Sequence, residues 1–227
     1  AQYVSVQDFG AVGNGSTNDT AAIQAAIDSG AKAIYFPNGQ YLISSPLTLQ
    51  SNQLLYGDGK SPNHPYNEST FPTGFTSEIL INNTVAFDCT GTNNTTVRGL
   101  SIKSTAAGES VYGAPANYTA GAIGFLIPDT YNFTAQNVSF FGLEYGIAAS
   151  QSSNLAEAGF WKLDNFVASD CRAVVKIGNS GSSTYVSRDC IISNCDIALH
   201  CNAMVDINWS DGVRIENCRF FQTYGDS

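Results

Sequence analysis

Along most of the chain, apolar and polar residues alternate in short runs broken by glycine, asparagine and proline, the pattern of many short strands. Residues 4–10, VSVQDFG, read as one such strand and lead into AVGNGSTN, whose glycines and Asn-Gly pair mark a tight loop. One segment has a different period. From Asp19 to Ser29 the apolar residues Ala22, Ile23, Ala26 and Ile27 fall on one helical face. Asn18 serves as N-cap, Asp19 places negative charge in the first turn, and Gly30 stands at the C′ stop. Two more strand-like stretches follow, AIYFPNGQYLIS and LTLQSNQLLYGDGKS, punctuated by Pro37, Gly39, Gly57 and Gly59.

Beyond residue 95 the chain repeats itself. The unit is Asn or Asp, apolar, any, apolar, two of any kind, Leu or Cys, two of any kind, small or apolar, apolar. Three copies align without gaps, NVSFFGLEYGI from Asn137, NFVASDCRAVV from Asn165 and DCIISNCDIAL from Asp189, with a partial fourth, NCRFFQT, from Asn217. Their starts are 28, 24 and 28 residues apart, a solenoid period. GLSIKS, from Gly99, is a degenerate earlier copy.

Stacking the copies at the strand spacing of a sheet, about 4.8 Å, predicts inward columns. Val138, Phe166, Cys190 and Cys218 form one; Phe140, Ala168, Ile192 and Phe220 a second; and Leu143, Cys171 and Cys195 a third. Ile147, Val175 and Leu199 form a fourth, and Ala149, Ile177 and Cys201 a fifth. Asn137, Asn165, Asp189 and Asn217 then share one turn, as a side-chain ladder that satisfies backbone groups.

Composition narrows the reading. With 227 residues and 43% apolar content the chain can bury one sizeable core. Only 13% of residues are charged, and Asn, Ser, Thr and Gly fill the places charges usually take, a surface suited to hydroxyl-rich ligands. A net charge of −9 without a Lys/Arg cluster argues against nucleic acid and anionic membranes as partners. No apolar stretch approaches the roughly 20 residues of a membrane span, and AQYVSV lacks the regions of a signal peptide. Every Cys after Cys89 replaces an apolar residue in a core column, so the expectation is buried, free thiols. Their spacing matches no zinc pattern, so no metal site and no cofactor are expected. Asn-x-Ser/Thr sequons at Asn14, Asn18, Asn67, Asn117, Asn132, Asn137 and Asn208 are numerous, some on predicted core strands, which fits a bacterial or viral origin.

The run VSVQDFGAVGNGSTNDTAAIQAAIDSGAKAIYFPNGQYLIS, followed by LQSNQLLYGDG, resembles the opening module of the pectate-lyase-like β-helix superfamily. That superfamily includes phage tailspikes and capsule depolymerases, mannuronan epimerases and some glucan-degrading enzymes. The resemblance covers about residues 3–60 and is specific for fold and poorly specific for chemistry. It implies an all-β, right-handed parallel β-helix whose N-terminal end is capped by the helix at 19–29. It divides the chain into an N-terminal module, 1–60, and β-helix rungs over 61–227. It implies a tailspike or tail-fibre depolymerase, a virion-tail or extracellular protein with bacterial capsule or lipopolysaccharide as ligand and a homotrimer as the assembly; a secreted monomeric polysaccharide lyase or glycoside hydrolase and a non-catalytic glycan-binding or structural virion β-helix are the alternatives. The chain ends just after a rung begins, so the expectation is that the native protein continues or that another subunit covers that end.

Cleaving a glycosidic bond by hydrolysis requires two carboxylates about 5–10 Å apart. The alignment places Glu144, Arg172 and Asp196 in one outward column and Gly142, Asp170 and Asn194 in its neighbour, making Asp170, Asp196 and Glu144 the candidate catalytic groups. Solvated charges neutralised by Arg172 are the competing reading. Lyase or epimerase chemistry needs a base near a cation, and Lys176 and His200 share an outward column beside Arg172. Asp206, Asp211 and Glu216 gather near Trp209 in NAMVDINWSDG, a segment that lengthens the coil. Tyr112 and Tyr118 lie in an insertion at about 104–122 that can wall a groove and stack on sugars, or pack against another subunit. The loop from Lys60, with His64 and Tyr66, has the same two readings. The Asp-Pro-His-Glu motif of the epimerases and the paired Asp and Gly-His-Gly of polygalacturonases are absent, so neither specific activity carries over.

Overall fold

The computed structural model describes residues 2–60, 76–107, 116–149, 159–178, 187–199, 201–208 and 210–219, with backbone alone for 187 and 196–199. The chain winds as a coil whose turns contribute strands to three walls, called here sheets A, B and C. The first turn holds β1 (Tyr3–Ser5) in A and β2 (Asn14–Asn18) in B, separated by a 3-10 turn at Val6–Phe9. Helix α1 (Thr20–Asp28) follows, and the second turn supplies β3 (Ala33–Phe36), β4 (Gly39–Leu42) and β5 (Leu47–Thr48) to A, B and C in order. The third turn repeats the order with β6 (Leu54–Gly57), β7 (Ser77–Ile81) and β8 (Val85–Asp88), and the fourth with β9 (Thr96–Arg98), β10 (Ser101–Ser104) and β11 (Thr119–Leu126).

From the fifth turn on, one long strand bends through A and B. These strands are β12 (Thr134–Phe141), β14 (Lys162–Ser169) and β16 (Ser187–Leu199). Between them β13 (Leu143–Ala149), β15 (Ala173–Ile177) and β17 (Ala203–Ile207) continue sheet C, and β18 (Ser210–Glu216) opens the next turn. All pairings are parallel and join strands of successive turns, which is the right-handed parallel β-helix. Among the described residues no helix is long and apolar enough to cross a membrane.

The helix at the first end behaves as its pattern predicts, starting one residue late. Ile23, Ala26 and Ile27 are fully buried against the stack, and Gly30 has φ 78°. The N-cap position falls on Asp19, whose carboxylate turns away to accept Val12 N–H and Gly13 N–H at 2.8 and 2.9 Å. Asn18 accepts the Thr20 N–H at 3.1 Å instead.

From the fourth turn on, each turn carries two left-handed corners five residues apart, one before sheet A and one between A and B. The first series runs Asn52, Asn94, Asn132, Phe160, Asp189 and Gly212, and the second Gly99, Asn137, Asn165, Asn194 and Asn217, all with positive φ. Asn and Asp tolerate this conformation better than other side chains. Their amides also form ladders between turns, Asn94 Nδ2 donating to Asn52 Oδ1 at 3.1 Å and Asn132 Nδ2 to Asn94 Oδ1 at 3.0 Å.

The predicted columns hold between the copies at Asn137 and Asn165, where Val138 pairs with Phe166, Phe140 with Ala168 and Ile147 with Val175. The third copy is displaced. Phe166 pairs with Cys195 instead of Cys190, Ala168 with Ala198 instead of Ile192, Val175 with Val205 instead of Leu199, and Ile177 with Ile207 instead of Cys201. Asp189 belongs to the corner before sheet A, and Asn194 takes the ladder position expected of it. The slip arises because both corners need an Asn/Asp-type residue followed by an apolar one, so the short pattern fits either.

The cysteines remain in the core despite the slip. All six are free. Cys89, Cys171, Cys190 and Cys195 are buried, while Cys201 and Cys218 pack against the same cluster. Burial pushes the thiols of Cys89 and Cys171 well above their ordinary value.

Candidate functional site

Sheet C has a polar and aromatic outer wall beside the corner that joins it to sheet B. In the fourth turn the described residues at this corner end at Ala107 and resume at Ala116, just before β11. The returning segment is pinned across the later turns. Ala116 N–H donates to Asn202 Oδ1 at 3.2 Å, and Asn117 N–H to Asp170 Oδ1 at 3.5 Å. Insertions at such corners leave the coil intact while walling one of its faces.

Corner geometry gathers the charges. Gly142 (φ 67°) and Asp170 (φ 56°) occupy equivalent left-handed positions one turn apart, so Glu144 and Arg172, two residues further on, also stack. Arg172 Nη1 meets Glu144 Oε1 at 2.7 Å, and Glu144 Oε2 accepts Gly121 N–H at 2.7 Å. The guanidinium lies 5.7 Å above the Tyr145 ring, and its hydrogen bond to Glu144 raises its pKa further. Burial raises the Tyr145 hydroxyl, opposed by Arg172. Tyr118 is close enough to act electrostatically on both. Along the same wall Lys176 Nζ pairs with Asp206 Oδ2 at 2.8 Å.

Asp170 is 4% exposed; Ser169 Oγ donates to its Oδ2 at 2.8 Å, and Asn117 covers its Oδ1. Strand geometry puts the Cα atoms of Asp170 and Glu144 about 8 Å apart, two residues along and one turn across.

The structure therefore brings together Asp170, Glu144, Arg172 and Tyr118, with Lys176 on the same wall. It does not bring Asp196 to them. The β14/β16 register shifts between Phe166–Cys195 and Val167–Ile197, so Asp196 lies at the A–B corner while Asp170 lies at the B–C corner, at opposite ends of sheet B. The expected columns Glu144–Arg172–Asp196 and Lys176–His200 are corrected accordingly, and the neighbour of Lys176 is Asp206. The segment around Asp206 and Asp211 forms β17 and β18, a turn of the coil in its own right. Tyr112, His200 and Trp209, with His64 and Tyr66, lie outside the described residues.

Sequence reasoning missed Asp164 on sheet A. It is buried, accepts Ser193 Oγ and Asn194 Nδ2 at 2.7 Å each and Gln136 Nε2 at 3.2 Å, and faces Lys162 at 3.6 Å. Burial works against its ionisation, but these hydrogen bonds and the Lys162 charge outweigh it and hold its pKa below the ordinary value. Such a depressed carboxylate stabilises the fold above its unfolded pKa, and that contribution is lost as pH falls through the folded one. Asp164→Asn is expected to cost about 1–3 kcal/mol at neutral pH. The difference from the parent should close below about pH 4, as urea unfolding at the two pH values would measure. No motif marks Asp164, because its hydrogen-bond donors come from the two adjoining turns.

A solenoid of stacked parallel turns with a polar outer wall along one corner is an architecture of polysaccharide-acting β-helices. The sequence profile described as rhamnogalacturonase A/epimerase, pectate lyase-like, matches residues 3–224, and the chain belongs to that family. The chain is 44% identical over 66 residues to mannuronan C5-epimerase AlgE3 of Azotobacter vinelandii, 24% of this chain and 4% of that protein. It is 43% identical over 56 residues to the pre-neck appendage protein of Bacillus phage B103, 25% of this chain and 6% of that one. These matches therefore span only a small part of the relatives' length. Among solved structures, a putative glycosyl hydrolase from Parabacteroides merdae superposes with TM-score 0.62 at 13% identity, covering 96% of this chain and 95% of that one. The tailspike of Acinetobacter baumannii phage AM24 superposes with TM-score 0.59 at 12% identity, covering 98% and 45%. At these identities the structural likeness speaks for the fold.

Proposed function

We propose that this chain is the glycan-gripping and glycan-cleaving β-helix of a phage tailspike or tail-fibre depolymerase, acting on bacterial capsule or lipopolysaccharide as a homotrimer. The observation that carries the reading is the B–C corner. Two carboxylates, Glu144 and Asp170, stand one turn apart beside Arg172, under a segment pinned across the neighbouring turns. Family membership and the phage appendage among its relatives support the setting. In chemical terms one carboxyl of the Glu144/Asp170 pair protonates the leaving oxygen while the other activates water.

The test is turnover of bacterial surface polysaccharide by the full native polypeptide. Glu144→Gln and Asp170→Asn are each expected to lower it about 10²- to 10⁴-fold while polymer is still bound. Unchanged turnover in both variants would remove the corner from the mechanism. A second reading, a non-catalytic glycan-binding virion β-helix, is favoured by one observation: both oxygens of Glu144 are already engaged, by Arg172 and by Gly121 N–H. It predicts binding without turnover in the parent protein itself.

A further inference from the structure

A cleft of about 370 Å³ opens on the same B–C corner nearer the helical cap, lined by Asn18, Leu42, Ile43, Ser44, Asn82, Asn83, Thr84 and Thr105. Its size is that of a small-ligand site. Six lining residues carry an amide or hydroxyl, the half-buried Leu42 is the apolar side chain that reaches the surface there, and none is charged. Asn18 Nδ2 donates to Ser44 Oγ at 2.8 Å at the cap end, while Asn82, Asn83 and Thr105 are exposed. The lining comes from the first four turns, so the cleft is about 14 Å long at the rung spacing of a sheet.

The cleft wall adjoins the carboxylate corner through Gly121. A side-chain carbon added at Gly121 would lie 3.3 Å from the Asn83 carbonyl oxygen, and the Gly121 N–H is the donor to Glu144 Oε2. One residue thus separates the cleft wall from the charged pair. We infer that the cleft is a remote subsite for uncharged sugar residues of a glycan lying along the coil axis, running from Glu144 towards α1. The inference rests on the corner being the site of glycan cleavage. The lining selects the class: amides and hydroxyls match sugar hydroxyls, the Leu42 side chain meets the C–H face of a pyranose, and among the described lining residues a uronate carboxylate would find no cation. The cations described on the adjoining walls are Lys103, on sheet B in register with Leu80 two turns from Leu42, and Arg172 and Lys176 on sheet C, which are paired with Glu144 and Asp206.

The experiment measures binding of neutral heptasaccharides (α-1,4-, β-1,3- and β-1,4-linked glucose, and β-1,4-linked mannose) against oligomannuronate and oligogalacturonate of equal length, by calorimetry on the full native polypeptide. Ser44→Trp, which fills the cleft, and Asn83→Ala, which removes an amide, are both placed at exposed turn positions and checked for parental melting temperature. At least one neutral oligosaccharide should bind, with affinity lowered about tenfold by each variant. Binding of uronates alone, of no member of the set, or of neutral sugars with equal affinity by both variants would overturn the subsite. Turnover by Glu144→Gln is read separately. Cleft variants that lose binding while Glu144→Gln retains turnover would keep the subsite and reject the catalytic corner, and the reverse pattern would do the opposite.

Discussion

Phe166→Ala is expected to destabilise the coil by about 3–5 kcal/mol, the cost of emptying a fully enclosed aromatic site. Phe166 has no exposed surface and stands in the inward column between Val138 of the preceding turn and Cys195 of the following one. Neighbouring turns are locked by parallel hydrogen bonds on both sides, so the stack cannot collapse into the space and the cavity term adds to the lost transfer energy. Urea or thermal unfolding measures the effect. A loss under about 1 kcal/mol would mean that the column is not closed around the ring.

The second large effect is expected at Gly57→Ala. A Cβ there would lie 2.5 Å from the Gly99 carbonyl oxygen, 2.5 Å from Leu100 Cδ2 and 2.6 Å from Ser77 Cβ. Gly57 ends β6 at the A–B corner, directly beneath Gly99 in the next turn, so backbone meets backbone with no room for a methyl group. Overpacking of this kind costs about 1–3 kcal/mol when side chains can yield, and more when the obstacle is a carbonyl fixed in a sheet. Loss of soluble, β-rich protein, or a melting temperature many degrees below the parent, is the expected outcome. Parental stability would show that the third and fourth turns stand further apart than described.

Much of this architecture is legible in the chain before any coordinates. The period of two, the single amphipathic helix with Ile23 and Ile27 on its buried face, and cysteines standing in for aliphatic residues each follow from local chemistry. So does the preference for Asn at the corners, because a left-handed backbone position excludes most other side chains whatever surrounds it. The match of Asn137 to Asn165 succeeds for the same reason: both copies have equal length, and every inward residue has an inward counterpart.

The copy from Asp189 fails where local chemistry is degenerate. Two corners of one turn, five residues apart, ask for the same residue type, and only the hydrogen bonds between turns decide which corner Asp189 occupies. With that choice went Asp196, carried to the far end of sheet B from Asp170, and the partner of Lys176, which is Asp206. The surroundings of Asp164 are of the same kind, since Gln136, Ser193 and Asn194 reach it from adjacent turns and from sequence distances of 28 to 30 residues.

The sequence by itself determined that the chain coils, which residues face inward and how the first end is capped, because each of these is set by neighbours within a few positions. The tertiary structure alone decided the register between turns, and with it which carboxylates and cations meet at the B–C corner. Stacked parallel strands give every turn nearly the same local energy in several alignments, and the choice is made by packing and hydrogen bonding between residues that the sequence holds far apart.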